Sequence, residues 1–275
     1  MLLPAVLLYL LSFAVPLVIV GRLSMFQADY MTETFVGLEN FRRALGDRFF
    51  LKSFGNAFAF MLMVTPTLTT ISYWTASILS GFKSRVQSAV RFALYLPSLS
   101  AGLVMTLIWR WFLLRDGVVN AVLVALNLEP VPWLTEAWPA RVSVAFITLA
   151  AAIGGTVILF AVSLHAIPGE LRDAASVDGA TERQYKRHIV RPMMLPTIAL
   201  VVLLNVVGLM QIWETIYILF RNGGPEGGAA TPVYEIFMTA FQFGKQGYAA
   251  AKGVLLMAVI AALLAVKQRV EKWVR

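Results

Sequence analysis

Asp173-Ala174-Ala175-Ser176-Val177-Asp178-Gly179-Ala180, continuing to Ile189-Val190-Arg191-Pro192, is a polar, glycine-punctuated stretch lodged between two long apolar runs. It lies in a segment, 168–196, that stands out in an otherwise strongly apolar chain. Connections of that length are usually functional or disordered, and this one carries folding signals. Pro168 suits the first turn of a helix, and Glu170 falls near that helix's positive N-terminal end. Thr181 followed by Gln184 is a capping-box signal that predicts a second short helix over 181–189. Gly179 sits between them, where a turn needs positive φ. Pro192 and Pro196 then open the next apolar run. The stretch predicts a two-helix surface knob, a docking element.

The rest of the chain has the composition of a membrane protein. It is 59% hydrophobic and 14% charged, with a mean hydropathy of +0.75, where a soluble domain is about a quarter charged. Uncharged or nearly uncharged runs at 2–21, 53–82, 92–109, 142–169 and 192–213 approach or exceed the roughly twenty residues that cross a hydrocarbon core. A sixth run, 253–266, reaches spanning length if it starts near Ala249, with Lys252 snorkelling or paired and Lys267 at the far interface. The expectation is an all-α integral membrane protein, one domain over 1–275, with six transmembrane helices near 2–21, 54–81, 91–112, 142–164, 196–219 and 249–267. The run 118–128 is too short to span and is placed at an interface, and 36–52 is expected as an external helix.

Basic residues set the orientation. Loops 81–91 and 165–195 with the tail from 267 hold 12 Lys and Arg; loops 22–52, 110–141 and 221–252 hold 11. The first set is about half as long, so its density is twice as high, and acidic residues gather in the second. The positive-inside rule places the dense set, both termini and the Asp173 loop in the cytoplasm. The net charge of +8 then reads as anchoring to anionic lipid and not as nucleic-acid binding. Met1 leads straight into the apolar run with neither a basic flank nor a small-residue cleavage site. That start reads as a first transmembrane helix whose cytoplasmic leader lies outside this sequence. The absence of Cys leaves the redox compartment undecided.

The Asp173 segment closely resembles the Glu-Ala-Ala loop of ABC importer permeases, in which an acidic residue, two alanines and a glycine precede Ile-x-Leu-Pro. Asp173 stands where that family has Glu, and Arg191 where it has the Leu before proline. Further likeness covers nearly the whole chain: Val36-Gly37-Leu38-Glu39-Asn40-Phe41, Leu96-Pro97, Trp109-Arg110-Trp111, Asn222-Gly223-Gly224-Pro225, and Ala240-Phe241 followed by Gly247-Tyr248-Ala249. Together these resemble the carbohydrate-uptake branch, and within it the maltose-type first permease subunit. The resemblance implies a permease fold with a cytoplasmic coupling helix, in a bacterial cytoplasmic (inner) membrane. It implies four kinds of partner: a second homologous permease, two cytoplasmic ATPase subunits, an extracytoplasmic solute-binding protein, and membrane lipid. The chain itself would carry no cofactor or metal and no catalytic residue, ATP and Mg being bound by the ATPase subunits.

Under that resemblance the coupling residues are Asp173, Ala174, Ala175, Asp178, Gly179 and Ala180. The alanines allow close approach into a cleft, Asp173 offers a charge to a basic partner residue, and Gly179 sets the exit angle. For the substrate path, polar groups inside apolar runs usually face a cavity or a neighbouring helix. The fourth run carries Thr148, Thr156 and Gly154-Gly155; the fifth carries Asn205, Gln211 and Glu214 beside Trp213. Likeness to the maltose-type subunit places the cavity near Thr148, Ala151, Ala152 and Gly155, and near Val206, Leu209, Met210 and Trp213. Asn205 and Gln211 serve equally as interhelical hydrogen-bonding groups. Glu214 has two readings, a cavity-mouth role or a structural pair with Lys252. Tyr73, Trp74 and Thr65-Pro66-Thr67 read as packing and helix bending.

Other classes lack their residues. His165 and His188, the only histidines, flank the polar loop, and neither Gly-x-Ser-x-Gly nor His-Glu-x-x-His occurs. No phosphate-binding Gly-x-x-x-x-Gly-Lys-Ser/Thr is present, so the chain has no ATPase site of that type. The alternative to an ATP-driven importer is an ion-gradient-driven carrier of a small solute, which would want several ionisable groups at the midplane.

Overall fold

The longest helix begins because of one carboxylate. Asp47 is its N-cap, accepting backbone N–H bonds from Phe49 (3.0 Å) and Phe50 (3.2 Å), and so fixes a start at Arg48, well before the uncharged run. This helix, Arg48–Leu79, is 32 residues long, about 48 Å at 1.5 Å per residue. The region 36–52 is therefore not one external helix. It divides into a short helix, Glu39–Gly46, and the first turn of the long one.

The computed structural model describes residues 3–29, 32–99 and 102–274. In chain order its helices are α1 (Val6–Leu23), α2 (Glu39–Gly46), α3 (Arg48–Leu79), α4 (Ser84–Leu99), α5 (Gly102–Phe112), α6 (Val118–Ala125) and α7 (Ala137–His165). They continue as α8 (Glu170–Val177), α9 (Glu182–Met210), α10 (Glu214–Leu219), α11 (Pro232–Phe237) and α12 (Gln246–Val274). Among the described residues five helices are long and apolar enough to cross a membrane, and six if α4 and α5, bent by 87°, count as one broken span.

A small hairpin joins α1 to α2. β1 (Phe26–Ala28) pairs antiparallel with β2 (Glu33–Phe35) in the register Phe26↔Phe35, Gln27↔Thr34, Ala28↔Glu33. The Asn40 amide ties α2 to this hairpin by donating to the Ser24 and Phe26 carbonyls. The start of α12 packs on β1 so closely that a Cβ at Gly247 would stand 1.9 Å from the Phe26 carbonyl oxygen.

α3 and α7 form the spine. Phe60, Val64 and Leu68 of α3 meet Val144 and Ile147 of α7, with Leu209, Ile216 and Tyr234 closing the cluster. A second cluster at the other end of the spine joins Ala76 and Leu79 to Val157, Phe160, Val190, Met194 and Val201. Between apolar helices in lipid the association rests on van der Waals fit and close backbone approach. Gly154 supplies that fit: a Cβ there would lie 2.3 Å from the Leu94 carbonyl oxygen, so α4 can seat against α7 only because this residue has no side chain. The outer faces stay apolar, as with Val18, which is 71% exposed on α1.

Two expected spans are interrupted. The run expected at 91–112 is the bent pair α4 and α5, with Pro97 and Gly102 beside the bend. The run expected at 196–219 starts earlier, at Glu182, stops at Met210, and resumes as α10 after Gln211-Ile212-Trp213. The short helix expected at 181–189 is thus the first part of α9. A π turn at Lys186–Val190 precedes Pro192, and its wider ring gives the proline, which lacks an N–H and crowds the preceding turn, a place without ending the helix.

Candidate functional site

The knob between α7 and α9 is built from local signals. α8 ends in a Schellman turn: Gly179 has φ +75°, its N–H reaches the Ser176 carbonyl (3.1 Å), and the Ala180 N–H reaches that of Ala175 (2.9 Å). The capping box then starts α9. The Thr181 hydroxyl oxygen accepts from the Gln184 N–H (3.3 Å), and Gln184 Oε1 accepts from the Thr181 N–H (2.8 Å). Glu182 bridges the two helices, 3.3 Å from Arg172 and 3.6 Å from Lys186. Asp173, Ala174, Asp178 and Gly179 are exposed, Ala180 is half-buried, and Ala175 is buried. Val177, 87% exposed, is the apolar tip of the knob.

The two helix interruptions meet at a cavity of about 350 Å³. Pro97, Ser98, Gly102, Met105 and Thr106 come from the α4–α5 bend; Ile147, Thr148 and Ala151 come from α7; Gln211, Ile212, Trp213, Glu214 and Thr215 come from the α9–α10 break. Unwound backbone at membrane depth is tolerable where it lines such a space or finds internal partners. Thr231, fully buried, donates its hydroxyl to the Ile212 carbonyl, which the break leaves free. Trp213 is stacked on Phe237 with centroids 4.3 Å apart, so its ring is held in place. A second cavity of about 300 Å³ shares Thr148 and Ala151 with the first and adds Val64, Leu68, Ala152, Leu204, Asn205, Gly208 and Leu209.

Of the residues expected on or near the path, Thr148, Ala151, Ala152, Asn205, Leu209, Gln211, Trp213 and Glu214 line these two cavities, and Val206 lines neither. Nor does Met210, which is buried against Ala57 and Leu256. Gly155 lines neither cavity. The Asn205 Nδ2 is buried without a hydrogen-bond partner among the described residues, so no interhelical bond holds it. Sequence reasoning missed Ser98, Met105 and Thr106, which the bend at Pro97 and Gly102 brings in; that proline–glycine pair was the available signal.

Glu214 does not pair with Lys252. Lys252 is 2% exposed, with its ammonium 3.0 Å from Asp47, 3.8 Å from Glu235 and 3.1 Å from the Thr239 hydroxyl. The Tyr248 and Phe50 rings also lie 4.7 and 5.2 Å from its nitrogen. Burial pushes the Asp47 carboxyl up, but hydrogen bonds from Tyr248 (2.8 Å) and Lys252 outweigh it and hold the group below its ordinary value. Glu235 is shifted the other way, because burial outweighs the attraction of Lys252. The cluster joins the start of α3, the α11 segment and α12.

At this same end of the molecule the 223–231 loop is held as a fixed shape. Gly223 and Gly224 take positive φ, 79° and 86°. The Asn56 amide donates to the Gly227 and Ala230 carbonyls (2.9 Å each), and Arg141 donates to the Gly228 carbonyl (2.7 Å). Lys52 donates to the Glu226 carbonyl (2.7 Å).

The chain is similar to known proteins in sequence and, in one solved structure, in fold. The arabinooligosaccharides transport system permease protein AraP of Halalkalibacterium halodurans is 28% identical over 82% of this chain and 72% of its own length. The diacetylchitobiose uptake system permease protein NgcF of Streptomyces coelicolor is 29% identical over 85% of this chain and 69% of its own. A chain in the crystal structure of a bacterial alginate ABC transporter in complex with an alginate pentasaccharide-bound periplasmic protein superposes with a TM-score of 0.87. That match has 20% identity and covers 100% of this chain and 93% of the other. Residues 44–275 match the family described as binding-protein-dependent transport system inner membrane component, and the chain belongs to that family.

Proposed function

We propose that this chain is one half of the translocation pathway of an ATP-driven, binding-protein-dependent importer of sugars or oligosaccharides. The observation that carries the reading is the cavity where two interrupted helices converge, lined by a fixed tryptophan and several hydroxyl and amide groups. An aromatic face combined with hydroxyl-directed hydrogen bonds suits a saccharide. The arabinooligosaccharide and diacetylchitobiose permeases among its relatives support the same cargo class.

In this reading a second, homologous permease closes the other side of the cavity. The α8 knob, with Asp173, Ala174, Asp178, Gly179 and the Val177 tip outward, enters a cleft of a cytoplasmic ATPase subunit. ATP and Mg are bound there, and ATP is hydrolysed there, not in this chain. Both termini lie in the cytoplasm, and the solute-binding protein docks where 22–52 and the fixed 223–231 loop are exposed. This chain performs no covalent chemistry: closure of the ATPases moves the knob, and α9, continuous from Glu182 to Met210, carries that displacement directly to the break at Gln211.

The purified complex with its binding protein, assayed for ATP hydrolysis against neutral and acidic oligosaccharides, amino acids and metal ions, tests the reading. Stimulation by a saccharide is expected. Stimulation by amino acids or metal ions, with none by any saccharide, would overturn the cargo while sparing the fold.

A further inference from the structure

The polar groups of the cavity are not neutral in their demands. Ser98 spends its hydroxyl proton on the Ala151 carbonyl (2.7 Å), Thr148 on that of Val144 (2.8 Å), and Thr106 on that of Gly102 (2.7 Å). What these hydroxyls can still offer a ligand is their lone pairs. Glu214, exposed at the same wall, is acceptor-only when ionised, and among the described residues it is the one charged side chain lining either cavity. No ion pair or hydrogen bond engages its carboxylate among the described residues; the Lys252 ammonium is committed to Asp47 and Glu235 instead. The carboxylate lies beside the helix bend, with Oε2 3.4 Å from the position of a Cβ at Gly102.

Three hydroxyls with spent protons beside one uncompensated carboxylate favour ligands that bring donors, while Gln211 and Trp213 keep N–H groups for sugar oxygens. Sugar hydroxyls qualify, and an ammonium adds Coulomb attraction. A uronate keeps its hydroxyl donors but adds a carboxylate that only accepts, and that charge repels Glu214. We infer that Glu214 is a charge filter within the translocation path, admitting neutral and amino-bearing saccharides and rejecting uronic ones. The inference rests on the saccharide reading above and makes it narrower: selection by charge occurs in the membrane as well as in the binding protein.

The test is equilibrium binding of three trisaccharides to the detergent-solubilised full complex without its binding protein: maltotriose (neutral), fully deacetylated chitotriose (cationic) and trigalacturonate (anionic). Wild type is compared with Glu214→Gln, which keeps the shape, and Glu214→Asp, which keeps the charge. Any charge that the second permease contributes is the same in all three. Trigalacturonate should bind wild type about tenfold more weakly than maltotriose, the effect of one like charge at a few ångströms in a partly hydrated site. Glu214→Gln should close that gap and weaken chitotriose, while Glu214→Asp should behave as wild type. Unchanged affinity ratios in a folded Glu214→Gln complex, or a wild-type preference for trigalacturonate, would overturn the filter and leave the saccharide reading standing. If no trisaccharide binds and no saccharide stimulates ATP hydrolysis with the binding protein present, both readings fail together.

Discussion

A fully buried ammonium is costly unless its partners stay in place. Lys252 has two carboxylates, a hydroxyl and two aromatic rings around it, so Asp47 and Lys252 behave as one unit. Removing one partner of such a pair leaves an uncompensated charge, at about 3–5 kcal/mol, whereas replacing both is far milder. Glu235 remains near the ammonium at 3.8 Å, so Asp47→Asn should cost about 3 kcal/mol, the low end of that range. The triple variant Asp47→Asn/Glu235→Gln/Lys252→Met, which removes the second carboxylate as well, should recover much of it. Thermal unfolding of the purified complex measures both, and a single variant as stable as wild type would show the pair to be idle. The pH dependence has a definite sign. The Asp47 carboxyl lies below its ordinary value of 3.8 when folded, so its contribution is fully present above that value and is lost as pH falls through the folded one.

At the scale of elements, the cavity depends on how closely α4 seats on α7. A Gly154→Val side chain would begin 2.3 Å from the Leu94 carbonyl oxygen, whereas a Cβ at the neighbouring Gly155 meets nothing within 4 Å. Gly154→Val should therefore displace the Pro97–Ser98 wall and lower substrate-stimulated ATP hydrolysis at least tenfold, with Gly155→Ala near wild type; equal effects would remove the packing argument. The knob has its own test. Gly179 holds φ +75°, a conformation that costs most other residues about 1 kcal/mol or more. Gly179→Trp should lower stimulated hydrolysis and release the ATPases on solubilisation while the permease pair stays together; normal ATPase recruitment would take the knob out of the mechanism. Much of this was legible in the sequence. Pro168, Gly179 and the Thr181–Gln184 pair announce the knob because caps and turns are local, and the apolar runs announce the long helices. The breaks were not legible, because hydropathy weighs side chains and is blind to the backbone; only Gln211, Glu214 and the Pro97–Gly102 spacing hinted at them. Of the two readings of Glu214, the pair with Lys252 fails for a related reason. Nearness to an end of a span cannot say that residue 47 crosses beside residue 252, which the packing of α12 on α2 and the hairpin decides.

For the molecule as a whole, the proposed orientation puts the knob in the cytoplasm and the Lys252 cluster and 223–231 loop on the opposite side. The chain has no cysteine, so Asp178→Cys gives a single thiol on an exposed turn. It should react with a membrane-impermeant maleimide in inverted vesicles and not in intact cells, and labelling from outside would reverse the topology. Under the proposed function, one face would receive the loaded binding protein, the interrupted helices would hold the passing solute weakly, and α9 would link that site to the ATPases. The central claim is that transport through this chain is powered by ATP and delivered by a binding protein. Uptake of a labelled oligosaccharide into proteoliposomes holding the whole complex tests it most directly. The account predicts uptake only with ATP on the knob side and binding protein on the other. Uptake driven by a proton or sodium gradient, with both absent, would contradict it.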